Sequence, residues 1–321
     1  MKINYHLIIG LFFLPFIGIC QDISLFQQFN GRFDYTAIGN TLNSFENNLD
    51  QSFCEILPSS SAELNLASGQ TIIAAYLYWA GSGLADTEVA LNGQGINSEI
   101  DYNVSFNSGQ FGELTYFSCF ANITDLIQSM GNGDYEFSDL DISEALSNPA
   151  YCSNRTNFAG WSIYIIYEEP SLPLNQVSLF QGLEIINTNV TEKTIVLENI
   201  NVLDNQGAKI GFLAWEGDNA LNYGESLSIN DNILSNPPLN LSDNAFNGTN
   251  TFTNSTELYN ADLDVYDIQD NISIGDTSAT IKLTTGGLDE FGIFRADLII
   301  LNNIITVLNR SEERRVGKEC C

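Results

Sequence analysis

Short apolar or alternating runs, each closed by Gly, Asn, Asp or Ser, follow one another along most of this chain, and that punctuation confines it to strands and turns. Strands are predicted over Thr71 to Ala80, Leu114 to Ala121, Trp161 to Tyr167, Val177 to Ile186 and Thr194 to Val202. Further strands are predicted over Ile210 to Trp215, Ser226 to Ile229, Ala279 to Thr284 and Ile293 to Ile305, the last as two segments. Trp161-Ser-Ile-Tyr-Ile-Ile-Tyr167 shows the type, dense in the β-branched and aromatic side chains that fit a buried pleated surface. A helix is predicted in one place, Asn122 to Gly131, where Asn122 or Thr124 caps the start and Gly131 the end. Many short strands with one short helix predict an all-β, antiparallel β-sandwich of jelly-roll type. No Pro- or Ser-rich linker divides the chain, so one sandwich domain is expected over 21–309.

The N-terminus carries Lys2 and then the apolar run Leu7 to Cys20, interrupted by Pro15. It is shorter than the roughly 20 residues a membrane-spanning helix needs, which predicts a signal peptide over 1–20. Ile19 is too large for the residue before a lipid-modified cysteine, so simple cleavage leaves Gln21 as the first mature residue. No later segment is apolar for long enough to span a membrane, and no membrane insertion of the mature chain is expected.

Acidic residues number 40 against 11 Lys and Arg, a net charge of −29. That field repels nucleic acid and anionic membrane surfaces. It leaves solubility, or divalent-cation binding, as what the carboxylates do. His6 is the only histidine and belongs to the signal segment, which removes Ser-His-Asp and Cys-His catalysis and a His general base from the mature chain. A carboxylate pair of glycosidase type remains open.

Of the six cysteines, Cys20 lies in the signal segment and Cys320 and Cys321 in the C-terminal tail. Among the rest, Cys119 sits in an apolar strand, while Cys54 and Cys152 sit in polar, loop-like surroundings and are the better disulfide pair in an oxidising compartment. Several turn-like segments are rich in oxygen ligands. Asn260-Ala-Asp-Leu-Asp264 puts Asp262 and Asp264 on one side of an extended strand, and Trp215-Glu-Gly-Asp218 with Tyr223-Gly-Glu225 forms a second cluster. Asp262, Asp264, Glu216 and Asp218 are the candidate calcium ligands. Asp204 to Gly207 and Ser138 to Asp141 are further clusters, against which stands the ordinary use of Asp and Asn in turns. Trp79, Trp161 and Trp215 all lie in or beside apolar strands, so core packing is expected rather than sugar stacking.

A set of motifs occurs in order: Ala74-Ala-Tyr-Leu-Tyr-Trp-Ala-Gly-Ser-Gly83, Tyr151-Cys-Ser-Asn154, Gly207-Ala-Lys-Ile-Gly-Phe-Leu-Ala-Trp-Glu-Gly-Asp218, Asn244-Ala-Phe-Asn-Gly-Thr-Asn250 and Ala261-Asp-Leu-Asp-Val-Tyr266. In these the chain resembles the N-terminal region of large gliding-motility-associated surface proteins exported by the type IX secretion system. The resemblance implies a cell-surface, outer-membrane-associated location and further domains C-terminal to residue 309. It supplies no catalytic residues. Residues 310–321 resemble the translation of a sequencing-adapter oligonucleotide and hold Arg310, Arg314, Arg315 and Lys318, so this tail is expected to be non-native. The expected function is therefore binding or adhesion toward a surface ligand such as a glycan. A carbohydrate-active enzyme and a purely structural cap are the alternatives.

Overall fold

The computed structural model describes residues 22–49 and 54–310; the expected signal segment and tail, apart from Arg310, lie outside the described residues. In chain order the first half comprises β1 (Ser24–Gly31), β2 (Phe33–Thr41), β3 (Ser59–Leu64), β4 (Thr71–Ser82), β5 (Glu88–Leu91), β6 (Gln94–Asn97), β7 (Ile100–Asn107), β8 (Glu113–Asn122), α1 (Thr124–Met130), β9 (Gly133–Ser138), α2 (Ser143–Ser147), α3 (Pro149–Asn154) and β10 (Ala159–Glu168). The second comprises β11 (Asn175–Ile186), β12 (Glu192–Glu198), β13 (Asp204–Trp215), β14 (Ser226–Ile229), β15 (Asn232–Ile233), β16 (Ala261–Asp267), β17 (Ser278–Thr284), β18 (Gly287–Leu288), β19 (Phe294–Arg295) and β20 (Ile299–Asn309). The helix expected over 122–131 is α1. The short helices α2 and α3 were not expected, although the Asn148-Pro149 pair signals the second: Asn148 Oδ1 accepts from the Ala150 N–H at 3.0 Å, with Pro at the first helical position.

The sandwich order occurs twice. In the first half the sheets run β2-β10-β4-β8 and β3-β9-β5-β6; in the second they run β11-β20-β13-β16 and β12-β17-β14-β15. Each half is thus an eight-stranded double sheet with the same antiparallel connectivity, the jelly-roll pattern. β7 widens the first half's larger sheet along β8, and β1 crosses over to widen the second half's larger sheet along β11.

Because side chains alternate across a strand, each five-stranded sheet has two faces to bury, and both are apolar. One face of the first sheet sets Leu77, Trp79, Ile163 and Ile165 against Val89, Leu91 and Phe137 of its own roll. The other face brings Tyr35, Tyr78, Tyr116 and Tyr164 against Val177, Leu213, Ile300 and Ile305 of the second roll. Beyond that layer, Phe180, Ile210, Phe212 and Ile304 pack on Ile195, Leu227, Ile281 and Leu283. The result is four stacked β-layers with the two rolls joined through their larger sheets. Polar groups in the central layer pair across it: Tyr78 donates to Gln181 Oε1 at 2.6 Å, and Ser118 and the Trp215 indole both donate to Asn302 Oδ1. All three tryptophans are buried, and the Trp79 and Trp161 indole N–H groups also have acceptors, Asp86 O and Ser60 Oγ.

Cys119 lies inside this packing with no solvent exposure, and burial pushes its thiol up to about 12. Thiolate is the reactive form, so the native chain will resist alkylation at pH 8 and react once unfolded in urea. Rapid labelling of Cys119 in the folded chain would contradict this packing.

Candidate functional site

The register of β13 against its two neighbours assembles the acidic site. Trp215 pairs with Ile300 of β20 on one side and with Ala261 of β16 on the other. The ladder stops there, and the chain continues as Glu216-Gly217-Asp218. Asp297 lies as far before Ile300 as Asp218 lies after Trp215, so antiparallel pairing carries both to the same end of the roll. The Glu216, Asp218 and Asp297 carboxylate oxygens lie within 4.8 Å of one another, and each residue is 1% exposed. Glu216 takes a left-handed backbone, φ +78°, and its N–H donates to Asn260 O at 2.7 Å. A non-glycine residue holds that conformation only where its surroundings fix it.

The first roll reaches over this end. Asn47, in the loop after β2, donates to Glu216 Oε1 at 2.7 Å, and Glu46 Oε1 accepts from the Asn219 N–H at 3.3 Å. The Asp218 N–H donates to Asp297 Oδ2 at 2.8 Å. Burial above all, and neighbouring carboxylates second, push all three acids well above their ordinary range; for Asp218 the neighbour is Glu46. Three close, buried carboxylates persist as anions only beside a compensating cation. An all-oxygen donor set suits calcium or another hard divalent ion.

The other acids occupy a second tier. Asp262 Oδ1 accepts the N–H groups of Asn247, Gly248 and Thr249, each at 3.0 Å, and Glu225 Oε1 accepts that of Phe246 at 2.6 Å. The second oxygens, Asp262 Oδ2 and Glu225 Oε2, are buried without a hydrogen-bond partner. Asp264 is used differently: Oδ2 accepts from Asn240 and from the Thr249 hydroxyl at 2.8 Å each, and Oδ1 from the Thr251 N–H at 3.1 Å. Of the four expected cation ligands, then, Glu216 and Asp218 come together, Asp262 stands in the adjoining tier, and Asp264 organises the 249–251 loop. Asp297 was missed because its Arg-Ala-Asp-Leu setting reads as the entrance to a strand; only the β13–β20 register shows what it faces. The two outlying clusters are local turn chemistry, with Asp204 Oδ1 accepting from the Gln206 N–H and Asp141 Oδ1 from the Ser143 N–H.

The triad lines a cleft of about 550 Å³ between the two rolls, with Asn48, Asn154 and Arg155 on the first roll's side and Asn187 and Arg295 on the second's. Cys54 and Cys152 are joined by a disulfide, 98 residues apart in sequence, with Cα atoms 5.6 Å apart. It ties the loop after β2, which supplies Glu46 and Asn47, to α3, which leads into Arg155.

No family model and no curated protein matches this sequence. Among solved structures, the chain is similar to BuGH86 in complex with neoagarooctaose. The wild type aligns at TM-score 0.28 and 10% identity over 80% of this chain, and a variant at TM-score 0.28 and 11% identity over 92%; in each case this chain covers 35% of the other. Likenesses at that level do not bear on the site. Among the described residues no helix is long and apolar enough to cross a membrane.

Proposed function

We propose that this chain is an exported, cell-surface binding module in which a calcium ion, held by Glu216, Asp218 and Asp297, fixes the loops around a ligand-capturing cleft between two jelly rolls. The observation that carries this reading is the buried triad on the wall of a cleft built from both rolls. Sites of this kind, concave and at a junction between folded units, are where ligands bind. Beside the cleft, the β18–β19 hairpin holds Arg295 and exposes Leu288 (70%) and Phe291 (78%), side chains that have no role in the core. The sequence resemblance supports surface attachment through further domains of the same protein, and the disulfide suits an oxidising compartment. A glycosidase reading fits the geometry less well, since its two carboxylates stand about 5–9.5 Å apart where sugar reaches them.

Screening the chain on an array of surface glycans, with millimolar calcium and with EDTA, tests the proposal. Binding that requires calcium and weakens in Phe291→Ala is expected. Equal binding in EDTA would overturn the cation's role, and binding to no glycan would overturn glycan capture.

A further inference from the structure

We infer that the acidic centre is binuclear, with a second hard divalent cation bound by Glu225 and Asp262 against Gly217, next to the triad. The oxygens involved differ from those of the first site, so the two positions stand or fall separately. Successive amides of one loop hold the two carboxyl groups side by side: Phe246 N–H on Glu225 Oε1 and Asn247 N–H on Asp262 Oδ1. Each clamp fixes one oxygen and leaves the other, Glu225 Oε2 and Asp262 Oδ2, without a partner in residues that are each 1% exposed. A third unpartnered oxygen comes from the same loop. Asn244 is 3% exposed and donates through Nδ2 to Asn219 O at 3.0 Å, while its Oδ1 accepts nothing.

Gly217 shows what Asp262 Oδ2 approaches. A Cβ placed there would lie 2.8 Å from Asp262 Oδ2 and 2.5 Å from the Phe246 carbonyl oxygen, so both face the backbone between Glu216 and Asp218. Any other residue at 217 would collide with both oxygens and with Phe246 Cβ, so only glycine lets these groups come so near the backbone beside the triad. A buried water could satisfy the hydrogen bonding of these oxygens but would leave two carboxylate charges unopposed; without a cation the pair takes up protons instead. A divalent cation meets both needs. Two carboxylate oxygens, an amide oxygen and a backbone carbonyl are the donors calcium takes, in a site whose geometry need not be rigid.

The test is the number of ions bound by the calcium-stripped full chain, measured by equilibrium dialysis and by isothermal titration with calcium alone. We expect two ions in the parent chain. Glu225→Gln, which keeps an acceptor for the Phe246 N–H, should bind one, and so should Glu216→Gln, which ablates the first site only. A parent chain that binds one ion, retained by Glu225→Gln, would overturn the second site and leave the first standing. Two ions retained by Glu225→Gln would overturn the assignment, and no ions at all would overturn both sites. Should Glu225→Gln fail to fold by circular dichroism, Asn244→Ala decides: one ion weakened by roughly tenfold with the other unchanged supports the site, and both unchanged overturns it.

Discussion

Stripping divalent cations is expected to lower the melting temperature of this chain, with a larger loss at pH 8 than at pH 5. Burial is the largest cause holding Glu216, Asp218, Glu225, Asp262 and Asp297 above the usual carboxylate range, and it brings Asp264 to about 7. In the unfolded chain the same groups titrate near 4. Between those values the folded state holds more protons than the unfolded one, so stability is lost as pH rises through the window, and above it the full penalty applies. For Asp264 alone, between 3.8 and about 7, the penalty is on the order of 4 kcal/mol. Calcium bound at the proposed site would act in the opposite sense, because it binds the ionised form and stabilises only the folded chain; at a thousandfold excess over Kd one ion would contribute about 4 kcal/mol. Thermal unfolding at both pH values, in EDTA and in millimolar calcium, should therefore show a lower Tm at pH 8 than at pH 5 in EDTA and a smaller or reversed difference in calcium. Glu216→Gln should change sign with the medium at pH 8. It removes a buried charge and stabilises in EDTA, yet it removes a ligand and destabilises in calcium. A Tm indifferent to calcium and to pH would return these acids to a purely structural role.

What could be read from the sequence follows from which strands are buried on both faces. β4, β10, β11, β13 and β20 belong to the two larger sheets, and several run apolar almost from end to end because a layer covers each side. These, with β8, β12, β14 and β17, were the predicted strands. Strands at sheet margins, such as Ser24–Gly31 and Ser59–Leu64, carry mostly polar or half-buried residues and gave no comparable signal. β12 ends at Glu198, short of the predicted Val202, because Asn199 turns into the left-handed region at φ +63°. The duplication escaped notice because the two rolls share strand order and not residues. Glu216, Asp218 and Glu225 were legible as one dense cluster of oxygen ligands, whereas Asp297 joins them only through the pairing of β13 with β20, far apart in sequence.

Replacing both Cys54 and Cys152 with serine is expected to lower stability by about 4–5 kcal/mol, the chain-entropy value for closing a loop of this length. The same change should weaken calcium binding. The bond holds the loop after β2 against α3, and that loop sends Asn47 to Glu216 Oε1 and Glu46 to the Asn219 amide, while α3 leads to Arg155 near Asp218. Releasing it frees the first roll's contribution to a site whose carboxylates come from the second. The coupling separates two explanations of the stability loss. If the disulfide acts only on the unfolded chain, the loss will be the same in EDTA and in saturating calcium, and the affinity for calcium will not move. If it also holds the site together, affinity will fall, and the loss will be larger in subsaturating calcium than in EDTA. The structure favours the second outcome, since both tethered segments touch the acids or stand beside them. Urea unfolding with calcium titrations on parent and double variant would measure it. A stability change below about 1 kcal/mol, or peptide mapping that joins Cys119 to either partner, would contradict the arrangement.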